Sequence, residues 1–143
     1  MNAKELIELM IKQENELYNL YKLGETFAVF ERPELRDVFA LIAEEELRHM
    51  ETLRNLLGGN VLKGAILNYV DELSLQPMLS DEKAKPESLD ELIVEAIVRE
   101  KHAYEMYSRL AELLEGSLSH IFGMMANEEL KHAYRMRLVY EGL

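Results

Sequence analysis

The sequence Glu46-Leu47-Arg48-His49 occurs a second time, in nearly the same form, as Glu129-Leu130-Lys131-His132. Both are Glu-x-x-His motifs, and both fall where the apolar stripe of a helix would otherwise continue. Residues three apart lie on the same face of a helix, so the Glu oxygen and the His nitrogen of each motif can reach one point. The pair of motifs therefore predicts metal ligands on two different helices.

Two further predicted helices each carry one acid inside an apolar stripe. Glu14 interrupts the stripe of the first helix, and Glu100 interrupts that of the third. Two Glu-x-x-His motifs and two lone inward acids are the ligand set of carboxylate-bridged two-metal sites in four-helix bundles. A single Glu-x-x-His is common on helix surfaces, so the prediction depends on the coincidence of six residues. These candidates are Glu14, Glu46, His49, Glu100, Glu129 and His132.

The two motifs belong to an internal repeat. Residues 14–21 align with residues 100–107, and residues 43–49 align with residues 126–132. Each copy supplies one lone acid and one Glu-x-x-His. Two helical hairpins that meet as a four-helix bundle would therefore place all six candidates around one pseudo-two-fold axis.

The sequence predicts a single domain over residues 1–143 with two helical hairpins. The hairpins are expected at about 3–57 and 88–141, with a crossover at 58–87. Pro77 is expected to interrupt regular structure within this link. A link of this length would let the chain run along the bundle, so that the third helix starts at the end where the second began.

Local signals predict the ends of the helices. Asn2 and Ser88 each stand three residues before a Glu, which is the pattern of a capping box. Pro33 forbids continuation of the first helix and suits the first turn of the second. Gly58 and Gly116 are expected to end the second and third helices.

The composition disfavours several classes of function. The formal net charge is -11, which argues against nucleic acid and anionic membrane surfaces as partners. The chain has no cysteine, so neither a disulfide nor a thiolate-bound iron–sulfur centre is expected. There is no signal-peptide pattern and no apolar run long enough to span a bilayer. We therefore expect a cytoplasmic protein without nucleic-acid or membrane partners.

The ligand types predict which metals would fit. Four buried acids repel one another, whereas two divalent cations would neutralise them. Carboxylate oxygens and imidazole nitrogens without a thiolate suit iron or manganese better than a structural zinc site. Glu46 and Glu129 are the expected bridges between two ions. The other ligands are assigned as two pairs, although spacing alone leaves the pairing open: Glu14 with His49, and Glu100 with His132.

Other polar residues near the motifs allow more than one interpretation. Tyr21 and Tyr107 are either hydrogen-bond donors to ligand carboxylates or amphipathic core residues. Two histidines are expected on the surface, and three acids are expected to be solvated or beside the ligands without binding metal: His102, His120, Glu44, Glu45 and Glu128.

The repeated segments resemble the rubrerythrin branch of the ferritin-like superfamily. The shared pattern is Glu-x-x-[Ala/Leu]-x-x-x-Tyr, at residues 14–21 and 100–107, each followed by a Glu-x-x-His helix. The resemblance implies an all-α, ferritin-like four-helix bundle with two iron ions, for which manganese or zinc can substitute. It also implies reaction with hydrogen peroxide or dioxygen, with the six candidate ligands as the catalytic residues.

The chain departs from the patterns of this superfamily at three points. Ala103 stands where typical rubrerythrins carry a second Glu, an acid that takes part in their redox-linked ligand change. The rubredoxin domain of those proteins is missing, since the chain has no cysteine, so electrons are expected from a separate donor protein. Leu47 stands where bacterioferritins carry a Met, and no haem is therefore expected.

Three functions follow from these observations. The leading hypothesis is an oxidoreductase that reduces peroxide or dioxygen as ferrous iron is oxidised. The first alternative is an iron-binding ferroxidase without catalytic turnover. The second alternative is a di-iron hydroxylase of a small organic substrate, although nothing in the sequence marks a substrate pocket. A homodimer is expected.

Overall fold

The computed structural model describes residues 3–59 and 85–143. In these ranges the chain forms four long α-helices and one short 3-10 turn at Pro33–Leu35. Asn2 and residues 60–84 of the predicted crossover lie outside the described residues. The helices are α1 (Ala3–Glu31), α2 (Arg36–Gly58), α3 (Leu89–Leu113) and α4 (Gly116–Glu141).

The four helices form an all-α bundle of two hairpins, as the sequence predicts. Helix α1 packs along α2, α3 packs along α4, and α1 also lies beside α3. Tyr21 contacts Glu100, and Tyr107 contacts Glu14, so α1 and α3 run in opposite directions. Helix α3 therefore starts at the end of the bundle where α2 also starts. None of the described helices is both long and apolar enough to cross a membrane.

The ends of the helices follow the local signals with two differences. Ser88 caps α3, and its Oγ accepts a hydrogen bond from the backbone N–H of Glu91 at 3.4 Å. Pro33 starts the 3-10 turn, so α2 itself begins only at Arg36. Gly116 does not end α3, which stops at Leu113; it is the first residue of α4. Its φ of 66° is left-handed, which a residue without a Cβ adopts at little cost.

Two apolar clusters fill the bundle, one on each side of a polar layer. The first cluster includes Met10, Leu53, Tyr107 and Phe122, and the second includes the corresponding aromatic residues Tyr21 and Phe39 with their neighbours. In the second cluster α1 and α2 approach closely at Gly24. A Cβ on this residue would lie only 2.7 Å from the Phe39 ring. The candidate ligands lie in the polar layer between the clusters.

Candidate metal centre

The structure brings all six candidate ligands together in the centre of the bundle. Each residue is almost completely buried, with between 0% and 4% of its surface exposed. They form two groups, and within each group one ligand atom per residue lies within 4.8 Å of all the others. Glu46 and Glu129 belong to both groups. The groups are Glu14, Glu46, His49 and Glu129, and Glu46, Glu100, Glu129 and His132.

Shared membership matches the bridging role that the sequence predicts for Glu46 and Glu129. The pairing that spacing left open is also visible in the geometry. Glu14 shares a group with His49, and Glu100 shares a group with His132. Each lone acid therefore lies with the histidine of the neighbouring helix in its own hairpin, since α1 pairs with α2 and α3 pairs with α4.

Each imidazole presents its Nδ1 atom to several carboxylates. Nδ1 of His132 lies 2.7 Å from Glu46 Oε1, 2.9 Å from Glu100 Oε2 and 3.5 Å from Glu129 Oε1. A single ring nitrogen has one N–H at most, so it cannot donate to three acids at once. Ligands bound at about 2.0–2.2 Å on adjacent positions of one metal lie about 3 Å apart. The arrangement around His132 therefore has the spacing of a coordination site.

His49 has the matching environment in the other group. Its Nδ1 atom lies 3.0 Å from Glu129 Oε1, 3.4 Å from Glu46 Oε2 and 3.6 Å from Glu14 Oε2. The ring planes of His49 and His132 are inclined by 29°, with their centroids 6.2 Å apart. The two groups therefore adjoin and repeat one another about the pseudo-two-fold axis.

The inward polar atoms lack hydrogen bonds among the described residues. Unpartnered buried polar atoms are rare in folded proteins because their desolvation is not offset. The concentration of such atoms at one place therefore fits a pair of bound cations. The atoms are Glu14 Oε2, both carboxylate oxygens of Glu46 and of Glu129, Glu100 Oε1, and Nδ1 of His49 and His132.

The protonation preferences of the metal-free cluster reflect the same crowding. Burial, with the charges of Glu100 and Glu129, raises the pKa of Glu46 well above its ordinary value. Burial and Glu129 likewise raise the pKa of Glu100. Burial alone would raise the pKa of Glu129, but contacts from His132 and His49 lower it. Burial alone would lower the pKa of both histidines, but the surrounding carboxylates raise it. Crowded buried carboxylates therefore favour bound protons where no cation neutralises them.

Two tyrosines tie the hairpins together at the cluster. Tyr21 donates a hydrogen bond to Glu100 Oε2 at 3.0 Å, and Tyr107 donates one to Glu14 Oε1 at 2.6 Å. Both tyrosines are fully buried. Burial and nearby carboxylates raise the pKa of both phenols, which therefore remain protonated donors. The sequence allowed two interpretations of these tyrosines, and the structure shows the first of them, a hydrogen bond to a candidate ligand.

Two acids outside the ligand groups each contact the outer ring nitrogen, Nε2, of one histidine. Glu45 Oε2 pairs with His132 Nε2, and Glu128 Oε2 pairs with His49 Nε2. The sequence placed both acids off the ligand face, which is where they lie, but it did not predict these partners. The only available signal is that each acid directly precedes an expected bridge, Glu46 or Glu129.

The remaining polar residues singled out from the sequence lie away from the cluster. His120 and Glu44 are exposed, and His102 is half-buried on α3. None of the three belongs to either ligand group. Ala103 is buried on the inner side of α3, with 6% of its surface exposed. The inner position of that turn of α3 therefore carries no second acid.

An open groove of about 750 Å³ reaches the edge of the cluster from the surface. It is lined mainly by one side of α4, with Glu45 contributing from α2. His132 is the one candidate ligand in its lining. The full lining is Glu45, Leu130, Lys131, His132, Tyr134, Arg135 and Leu138.

A comparison with known protein families agrees with this fold and cluster. The family model described as Rubrerythrin matches residues 5–140, which is nearly the whole chain. The chain therefore belongs to the rubrerythrin family. No curated protein and no solved structure shows significant similarity to it.

Proposed function

We propose that this member of the rubrerythrin family is a di-iron oxidoreductase that reduces hydrogen peroxide or dioxygen as ferrous iron is oxidised. The observation that carries the proposal is the pair of buried ligand groups that share Glu46 and Glu129. Two adjacent sites with common carboxylates would suit a pair of metal ions, which Glu46 and Glu129 would hold together. Oxygen and nitrogen donors without a thiolate favour iron or manganese.

The side chains have separate roles in this proposal. Glu46 and Glu129 would contact both ions, and each histidine would bind one ion through Nδ1. Two ferrous ions held there would supply the two electrons that, with two protons from solvent, reduce hydrogen peroxide to two water molecules or dioxygen to hydrogen peroxide. Tyr21 and Tyr107 hold the carboxylates of Glu100 and Glu14 in a fixed orientation through their hydrogen bonds. Repeated turnover would require electrons from a separate donor protein, because the cysteine-free chain has no rubredoxin-type centre.

The surroundings of the cluster favour a small reactant. Apolar side chains pack on both sides of the polar layer, which limits access of water. The open groove beside His132 and Glu45 offers a route from solvent to the edge of the cluster. Peroxide and dioxygen are small enough to approach without displacing the surrounding helices.

A second candidate function is iron oxidation without catalytic turnover. Ala103 favours it, because the acid that takes part in redox-linked ligand change in typical rubrerythrins is missing at this buried position. Such a protein would oxidise and hold iron once, and it would not cycle at a useful rate.

Peroxide consumption by the iron-loaded protein separates the two functions. Anaerobic protein with ferrous iron is mixed with excess hydrogen peroxide, with and without an added reductant, and the absorbance of ferric iron is followed. Consumption of many peroxide equivalents per chain with reductant supports the oxidoreductase. A single oxidation that stops supports the ferroxidase. Glu46→Ala gives the background of unbound iron, and Glu44→Ala, at an exposed acid on the same helix, is the matched control.

A further inference from the structure

Both ring nitrogens of each histidine in the cluster lie next to acids. Nδ1 faces the buried carboxylates, while Nε2 contacts an acid on the surface side. His132 of α4 is contacted in this way by Glu45 of α2, and His49 of α2 is contacted by Glu128 of α4. The acid and the histidine therefore always come from different hairpins.

The position of each acid in the helix explains its reach. Successive residues in an α-helix are about 100° apart around the axis. Glu46 points into the centre of the bundle, so its predecessor Glu45 is turned towards the neighbouring helix α4. Glu128 directly precedes the inward-pointing Glu129, and it is turned towards α2 in the same way. The same contact thus forms twice from equivalent positions, as a consequence of the internal repeat.

Burial differs sharply between the partners. The side chains of His49 and His132 are 5% and 3% exposed, whereas those of Glu128 and Glu45 are 43% and 28% exposed. The acids thus keep contact with water while they accept a hydrogen bond from a buried ring. A carboxylate that accepts from Nε2 keeps the proton on that nitrogen, which leaves the Nδ1 lone pair for a cation.

We propose that Glu45 and Glu128 are positioning residues that fix the tautomer and the ring orientation of the histidine in the opposite hairpin. The inference rests on the proposed two-metal site and deepens it. Metal binding would then depend on correct docking of the two hairpins, because each half of the site needs an acid from the other half. Neither acid belongs to either of the two ligand groups.

Zinc binding tests this inference without use of the redox reaction. Zn²⁺ is titrated into metal-free protein, and ¹⁵N-histidine NMR of the zinc-loaded protein reports the Nε2–H signal of each ring. Glu45→Ala should weaken one of the two zinc ions about 10- to 100-fold and remove the protected Nε2–H signal of His132 alone. Glu128→Ala should do the same for His49. Glu44→Ala, which removes the adjacent exposed acid, should leave both affinities and both signals unchanged.

An isosteric variant separates hydrogen bonding from other effects. Glu45→Gln keeps an acceptor oxygen at the same place, so its zinc affinity should stay within about threefold of wild type. This variant keeps the inference testable even if Glu45→Ala folds poorly. Unchanged zinc affinity in Glu45→Ala would overturn the inference, as would equal weakening of both ions. A loss of zinc affinity in Glu45→Gln as large as that in Glu45→Ala would also overturn the inference. If wild-type protein binds no zinc at the cluster, the proposed metal site itself fails, which is a different result.

Discussion

The hairpin of α1 and α2 and the hairpin of α3 and α4 match closely at their inner faces. Each supplies one lone acid, one Glu-x-x-His, one buried tyrosine and one buried phenylalanine at equivalent positions. Phe39 lies 6.4 Å from Tyr21 between ring centroids, and Phe122 lies 6.0 Å from Tyr107. The apolar and polar layers of the bundle are therefore built from two similar halves.

The outer faces of the two hairpins have diverged. Lys22 and Glu25 form an ion pair at 2.7 Å on α1, whereas the equivalent positions on α3 are Ser108 and Ala111. Those two residues help to line an open groove of about 420 Å³ between α3 and α4. The exposed Tyr134 and Leu138 of α4 likewise correspond to Glu51 and Asn55 of α2, which are polar.

The contrast shows which positions the central cluster constrains. Glu46 and Glu129 each belong to both ligand groups, so a change in one half would disturb both. Surface positions carry no such coupling and can change in one half alone. Paired inner substitutions are therefore expected to have equal effects in the two hairpins, and unequal effects would show that the halves are not equivalent.

The largest effect is expected for the shared acids. Glu46→Ala and Glu129→Ala should each abolish binding of both metal ions, because each removes a ligand from both groups. Glu14→Ala and Glu100→Ala should each leave one weakly held ion, because each acid belongs to one group only. Metal analysis after gel filtration measures the content per chain. Loss of a single ion in Glu46→Ala would contradict the bridging assignment.

Removal of the metals should reverse the dependence of stability on pH. In the metal-free protein the pKa values of Glu46 and Glu100 are raised, and so are those of both histidines. Groups whose folded pKa is raised stabilise the fold below their unfolded pKa, and this contribution is lost as the pH rises through the folded value. Metal-free protein should therefore become more stable as the pH falls from about 8 to about 5.

The metal-bound protein should behave in the opposite way, because protons compete with cations for the same ligands. When the free metal concentration is 100 times the dissociation constant, a bound ion adds about 2.7 kcal/mol to the free energy of unfolding at neutral pH. Below about pH 4 the metal-free protein should also weaken, because Glu129 has a lowered pKa and loses its stabilising charge there. Urea unfolding at several pH values measures both curves. Parallel curves would contradict a clustered four-acid core.

A smaller effect is expected for the two tyrosines. Tyr21→Phe and Tyr107→Phe each remove one buried hydrogen bond between the hairpins. Loss of a hydrogen bond to a charged group costs about 1.5–3 kcal/mol of unfolding free energy. Equal losses, measured by chemical denaturation of metal-loaded protein, would support the two-fold relation. A loss confined to one variant would show that the halves are not equivalent at the cluster.

The smallest effect is expected at one of the inner positions where the halves differ. Ala103 corresponds to Leu17 in the first hairpin, and both are buried. Ala103→Glu restores the acid found in typical rubrerythrins and should raise peroxide turnover a few-fold, with metal content unchanged. Ala103→Gln, which has the same size without the charge, is the control. If wild-type protein already reduces peroxide as fast as Ala103→Glu, the argument that Ala103 limits turnover is wrong.

The fold and the cluster were predictable from the sequence because both depend on helical periodicity. An acid within an apolar stripe must point inward, and this places Glu14 and Glu100 beside the Glu-x-x-His motifs. Periodicity does not reveal which hairpin partner a side chain meets, so the pairing of His49 with Glu14 stayed open. The Gly116 prediction was wrong because a glycine at a tight link between helices serves equally well as an end or a beginning.

A place beside the ligands was one of the expectations for Glu45 and Glu128, but the histidine that each acid contacts could not be predicted, for a similar reason. Both acids have the exposure expected of solvated residues, and their contact with a histidine depends on the distance between α2 and α4. That distance follows from packing of the whole bundle, and no local pattern encodes it. The position of each acid directly before a bridging Glu was the available clue.

The most direct test of the central claim is anomalous diffraction from crystals of the protein loaded with ferrous iron. The claim is that Glu46 and Glu129 bridge two metal ions. Two anomalous peaks per chain are expected, about 3.5–4 Å apart, between these two carboxylates. A single peak, or peaks bound by surface acids with the central cluster empty, would contradict it.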